Sequence, residues 1–91
     1  MGIRREFETG DFVTSKSGRD KNRCFVVMSA DNKRVEICDG DLHKIEKQKK
    51  KNVKHIKYAG ESDKALKMKI DSGEKISDSE IRKALMIFKE S

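Results

Sequence analysis

Apolar residues in the first two-thirds of the chain fall in short runs separated by turn-forming residues, a spacing that predicts strands. Phe12-Val13 opens the first run, just after Gly10. Cys24-Phe25-Val26-Val27-Met28 is apolar at adjacent positions, which calls for burial on both faces and predicts the central strand of a sheet. Ala30-Asp31-Asn32-Lys33 supplies turn chemistry, because Asp and Asn tolerate left-handed backbone and bond locally, so a hairpin is expected there. Val35 and Ile37 then alternate with Arg34 and Glu36, the pattern of a strand with one face to the core and one to water. Asp39-Gly40 marks the next turn. Leu42 and Ile45, then Val53 and Ile56, are the candidate closing strands on either side of Lys47–Lys51.

From about residue 61 the period becomes helical. Ser62 is placed to cap a helix running to about Asp71, with Leu66 and Ile70 four apart and Gly73 placed to end it. The second helix is specified more strongly. Ser77 and Glu80 form a capping box, in which each side chain satisfies a free N–H at the helix start, and Ile76 and Ile81 stand at the positions of a hydrophobic staple. Ile81, Ala84, Leu85 and Phe88 recur at the three-and-four spacing of one apolar face. That face needs a cover, either the chain's own β unit or a partner protein or nucleic-acid crevice; the first is expected. The chain therefore divides into a β unit over residues 1–60 and a helical extension over 61–91 docked on it.

Ninety-one residues fit one compact unit. With 34% hydrophobic and 42% charged residues, a modest core must carry a heavily charged surface. The formal charge of +6 is unevenly spread: residues 1–60 hold 15 Lys and Arg against 9 Asp and Glu, whereas residues 61–91 hold 7 of each. A basic surface draws polyanions because every phosphate neutralised releases condensed counterions. Binding to a membrane surface would need an amphipathic helix with its basic residues on one face, and here the excess lies in strands and loops. Neither a signal-peptide run nor an apolar segment of spanning length is present, and a cytoplasmic location is expected. Cys24 and Cys38 lack the C-x-x-C spacing and nearby His pairs of a zinc site and read as small buried apolar residues, so no metal is expected.

Two stretches carry the basic excess. Lys16, Arg19, Lys21 and Arg23 surround a single acid, Asp20, in a loop that Gly18 lets turn tightly. Lys44, Lys47, Lys49, Lys50, Lys51, Lys54 and Lys57 follow with only Glu46 among them. Such a block repels itself and is expected to stay mobile until a polyanion neutralises it. The candidate nucleic-acid-contacting residues are the four loop cations with Lys44, Lys47, Lys49, Lys50, Lys51, Lys54 and His55. His43 and His55 can stack on bases or bond phosphates, or serve as ordinary surface residues. The phenylalanines suit core positions better than a stacking platform, with Tyr58 the one exception, so recognition of nucleic-acid shape and backbone is expected over base reading.

Enzyme chemistry finds no foothold. The serines sit in turns and caps without a Gly-x-Ser-x-Gly, the carboxylates are scattered among lysines, and Gly18 leads into a strand where a phosphate-binding loop would open a helix. No catalytic residue, cofactor or small-molecule substrate is expected.

Gly10-Asp11 leading into Phe12-Val13, then Gly18-Arg19-Asp20-Lys21-Asn22-Arg23 and the apolar strand, resembles a KOW motif. Through Asp39-Gly40, Leu42-His43-Lys44 and the Lys-rich stretch to Lys54-His55-Ile56, the chain is similar to the bacterial KOW-domain relatives of large-subunit ribosomal proteins. The resemblance implies an SH3-like barrel that binds RNA through the loops between its strands. Asn22 and Cys24 stand where many KOW motifs carry glycine, and Asn22 is expected to take the positive φ. The implied partners are rRNA and the large ribosomal subunit, with a ribosomal-protein neighbour as the alternative cover for the last helix. Two other readings are a protein-interaction module using that helix and a transcription-elongation KOW factor. Such factors carry a large domain ahead of the motif, whereas nine residues precede Gly10, so the ribosomal reading is the expectation.

Overall fold

The computed structural model describes residues 7–60 and 64–90. Five strands, β1 (Phe12–Ser15), β2 (Cys24–Ala30), β3 (Arg34–Cys38), β4 (Lys49–Asn52) and β5 (Ile56–Gly60), form one antiparallel sheet in the order β4-β3-β2-β1-β5. Two helices follow, α1 (Lys64–Asp71) and α2 (Asp78–Glu90). The sheet is open, with β4 and β5 as its edges. The chain crosses from one edge to the other through a one-turn 3-10 helix, Val53–His55. This turn is held on both sides: the Val53 amide donates to the Lys33 carbonyl and the Lys16 amide to the His55 carbonyl, each at 2.8 Å.

β2 is the middle strand, and its alternation separates two apolar clusters. Phe25 and Val27 join Val13, Val35, Ile37, Val53 and Ile56 on one face. On the other, Cys24 and Val26 join Phe12, Cys38, Leu66, Ile76, Ile81 and Leu85. Both faces of β2 are therefore buried, as adjacent apolar residues require. The apolar face of α2 lies on its own sheet, with the Phe88 ring 4.4 Å from that of Phe12 between centroids and tilted 34°. Each thiol is buried and free. Burial, reinforced by Asp78 and Asp39, pushes the Cys38 thiol up to about 12.

The local signals for turns and caps are realised. Asp31 accepts hydrogen bonds from the Lys33 and Arg34 amides at 2.8 Å and so shapes the β2–β3 turn. Ser77 Oγ accepts from the Glu80 amide at 3.1 Å, and the Glu80 carboxylate bonds back to Ser77. Gly73, at φ +75°, ends α1 with a doubly bonded cap, in which the Glu74 amide reaches the Lys69 carbonyl and the Gly73 amide that of Ile70. The expected Ser62 cap falls outside the described residues.

Of the four residues expected in closing strands, Ile56 does open one, β5, and the other three do not. Leu42 is exposed in a loop, Ile45 begins a one-turn 3-10 helix (Ile45–Lys47), and Val53 lies in the second such turn. The strand is the lysine stretch itself, β4. Pairing with β3 decides this: Lys51 stands opposite Val35 and Lys49 opposite Ile37. Their aliphatic stems thus run beside a buried apolar edge while the ammonium groups extend beyond it.

Gly40 explains how α2 is seated. Its φ is +74°, and a Cβ there would lie 2.3 Å from the Asp78 carbonyl oxygen in the first turn of α2. Arg82 donates to the Gly40 carbonyl at 2.6 Å, and Asp78 accepts from the Ile45 amide at 2.8 Å. Gly73 has the same left-handed backbone but nothing within 4 Å of such a Cβ. Gly73→Ala is therefore expected to cost about 1 kcal/mol for the left-handed backbone, and Gly40→Ala about 1–3 kcal/mol more for overpacking. Denaturant unfolding of the two variants checks this; equal losses would mean that the α2 contact relaxes freely. By the same method, Phe88→Ala is expected to lose about 2–3 kcal/mol, because the half-buried ring covers Phe12. An unchanged midpoint would show that α2 does not hold the sheet.

Candidate nucleic-acid interface

The loop from Lys16 to Arg23 is built around Asp20. Asp20 is only 6% exposed; its carboxylate accepts from the Lys49 ammonium of β4, and Nε2 of His43 lies 3.3 Å away. The His43 ring in turn lies against Phe25, 5.7 Å between centroids. The bonded Lys49 ammonium, with His43 adding, holds the Asp20 carboxyl below the ordinary carboxylate range despite its burial. Lys51 fastens the other end of the loop, donating to Ser15 Oγ and, at 2.9 Å, to the Ser17 carbonyl. Asn22 takes the left-handed conformation at φ 69°, as expected, and its amide closes the loop onto the Ser15 carbonyl at 2.8 Å.

A second buried carboxylate fixes the loop's exit. Asp39 accepts from the Asp41 and His43 amides, both at 2.9 Å, and from Arg23 Nε at 2.8 Å. Burial pushes its carboxyl up, but the two amides and the guanidinium outweigh that, and the net displacement is downward. Asp39 thus joins the β1–β2 loop to the β3–β4 connection.

These contacts sort the sequence candidates. Arg23, Lys49 and Lys51 spend their charge inside the molecule, and Lys50 lies 3.8 Å from Glu36. The expectation of a mobile lysine block is corrected for its central part: Lys49–Asn52 is an ordered strand whose cations have internal partners. Lys16, Arg19, Lys21, Lys44, Lys47 and Lys54 are exposed and form no ion pair among the described residues. His55 is exposed, and its carbonyl is bonded to the Lys16 amide.

The structure brings the two basic stretches, separated in sequence by strands β2 and β3, onto one surface. Lys51 Nζ comes within 4.0 Å of where a Cβ on Gly18 would stand, and Lys57 pairs across the ladder with Thr14. Lys16, Arg19 and Lys21 therefore project from a loop whose base is anchored, beside the Val53–His55 turn that carries Lys54 and His55. Tyr58, also on β5, is half-buried next to Val13 in register. Sequence reasoning did not find the organising role of Asp20 and His43. The one available signal was a lone acid within a run of cations.

With its folded value lowered, Asp20 contributes stability that is fully present above the unfolded carboxylate value near ~3.9 and is lost as pH falls through the folded value. Asp20→Asn is expected to lose about 1–3 kcal/mol at pH 7, the scale of hydrogen bonds to a charged group. The gap to the unsubstituted protein should narrow steadily below about pH 4, where the carboxylate of the natural protein becomes protonated. Chemical unfolding at a series of pH values checks the sign; a gap that stays constant into strong acid would remove the carboxylate charge as its source.

No protein-family model matches the chain, and no curated protein matches it.

Proposed function

We propose that the chain is a KOW-type RNA-binding protein with an SH3-like barrel, associated with the large ribosomal subunit, that holds rRNA by its phosphate backbone. One observation carries this reading: the basic loop of the motif is anchored at its base by Asp20 and Lys51, while Lys16, Arg19 and Lys21 are left with solvent. A loop held in this way loses little further entropy when its cations meet phosphate. Guanidinium can fork onto phosphate oxygens, which makes Arg19 the strongest single contact in this reading. Lys54 and His55 extend the same surface. Lys49, Lys51 and Arg23 act as positioning residues.

The barrel reading draws support from the antiparallel strand order and from the 3-10 turn that carries the chain between the two sheet edges. Among the described residues, no helix is long and apolar enough to cross a membrane. The interaction-module alternative loses its main feature, because the Ile81, Leu85 and Phe88 face is already spent on the sheet.

Sucrose-gradient sedimentation of cell extract at low and high salt tests the association. Co-sedimentation with the large subunit at low salt is expected, and protein remaining at the top of the gradient there would defeat the ribosomal reading. For the site, Arg19→Ala is expected to weaken rRNA binding by about 1–2 kcal/mol with an unchanged melting temperature. Replacing Lys16, Arg19 and Lys21 together by alanine should flatten the slope of log affinity against log salt by roughly 2–3, since each phosphate contact contributes ~0.7–0.9. Filter binding across a salt series reads both; wild-type affinity and slope in the triple variant would show that the loop is not the recognition element.

A further inference from the structure

On the helix-bearing side of the sheet, a groove of about 660 Å³ runs between the end of β2, the Ile45–Lys47 turn and the α1–α2 connection. Its floor is apolar: Met28, Ile45 and Ile70 are partly buried against the helix-side core, and Ile76 is nearly closed off. A register shift between Val27 and Ser29 interrupts the β2–β3 ladder at Met28, at the β2 end of the groove.

The rim is acidic. Glu46 and Glu74 stand on it exposed, and neither pairs with a cation among the described residues. Glu36, paired with Lys50, and Asp78, bonded to the Ile45 amide, also line the groove, and Lys75 is the one lysine in its lining. This inverts the balance of the whole chain, which carries +6. An apolar floor between uncompensated carboxylates repels nucleic acid and favours a cationic chain with apolar side chains to bury.

We propose that this groove is a docking site for a lysine- and arginine-rich protein segment that sets apolar side chains on the Met28, Ile45 and Ile70 floor while its cations meet Glu46 and Glu74. The groove shares no lining residue with the anchored loop, so such a segment and a polyanion would use different side chains. The proposal does not rest on the RNA reading, because its residues and its ligand charge are different.

The test uses the full chain, labelled with nitrogen-15, and a blocked synthetic peptide of alternating leucine and arginine, with a leucine–glutamate peptide of equal length as control. The leucine–arginine peptide is expected to shift the amides of residues 45–48 and 74–78, and the control to leave them still. Glu46→Lys combined with Glu74→Lys should weaken the peptide by roughly tenfold or more, since opposed like charges are costly in an interface. Both positions are exposed, so the melting temperature should hold. Shifts confined to other residues, equal binding of the control peptide, or an unaffected double variant would each overturn the proposal. So would an RNA oligonucleotide that shifts the groove amides, while RNA binding lost through loop variants alone would leave the groove result standing.

Discussion

A single strand that must be dry on both sides governs this structure. β2 carries Cys24 and Val26 towards one face and Phe25 and Val27 towards the other, and all four are buried. Removing such side chains from water is worth roughly 1.5–3 kcal/mol each for the larger ones, which a small chain cannot forgo on either face. Residues of the neighbouring strands and the Val53–His55 turn cover one side. They cannot also cover the other, so a second layer is needed, and Leu66, Ile76, Ile81 and Leu85 supply it. The helices are thus the second half of the core. The close approach of α2 at Gly40 and the ring contact at Phe12 follow from that requirement.

The same constraint accounts for the polar organisation at the rim. Where the sheet-only cluster meets solvent, β4 contributes lysines opposite Val35 and Ile37, and their stems flank the apolar edge. Their ammonium groups then require acceptors, which the β1–β2 loop provides through Asp20, Ser15 and Ser17. Fold and loop order are coupled through these bonds. Asp20 and Asp39 tolerate burial because each is met by several donors, the condition under which a buried carboxylate is not a liability.

What could be read in the sequence follows the range of the interactions. The capping box at Ser77 and Glu80, the Asp31 turn, the Gly73 stop and the two-faced strand β2 depend on neighbours within a few residues or on burial alone, and each is present. β4 was illegible because lysine has low strand propensity, and only its register with β3, across a long connection, makes those residues a strand. Leu42 misled for the complementary reason: an apolar residue in a loop closed by Asp39 is simply left outside. For the site, sequence could count cations but could not tell which were already spent. Lys49 and Arg23 resemble Arg19 in composition and differ from it only by carboxylates contributed from elsewhere in the chain.

Strand alternation also distributes charge. On β4, Lys49 and Lys51 share the face of Ile37 and Val35, whereas Lys50 stands opposite Glu36 on the face that bears the helices. A net charge of +6 therefore describes neither surface: one presents exposed cations around an anchored loop, and the other presents Glu46 and Glu74 over an apolar floor. Because the sheet is packed on both sides, the cations around the anchored loop and the local acidic rim at Glu46 and Glu74 are held apart on one short chain.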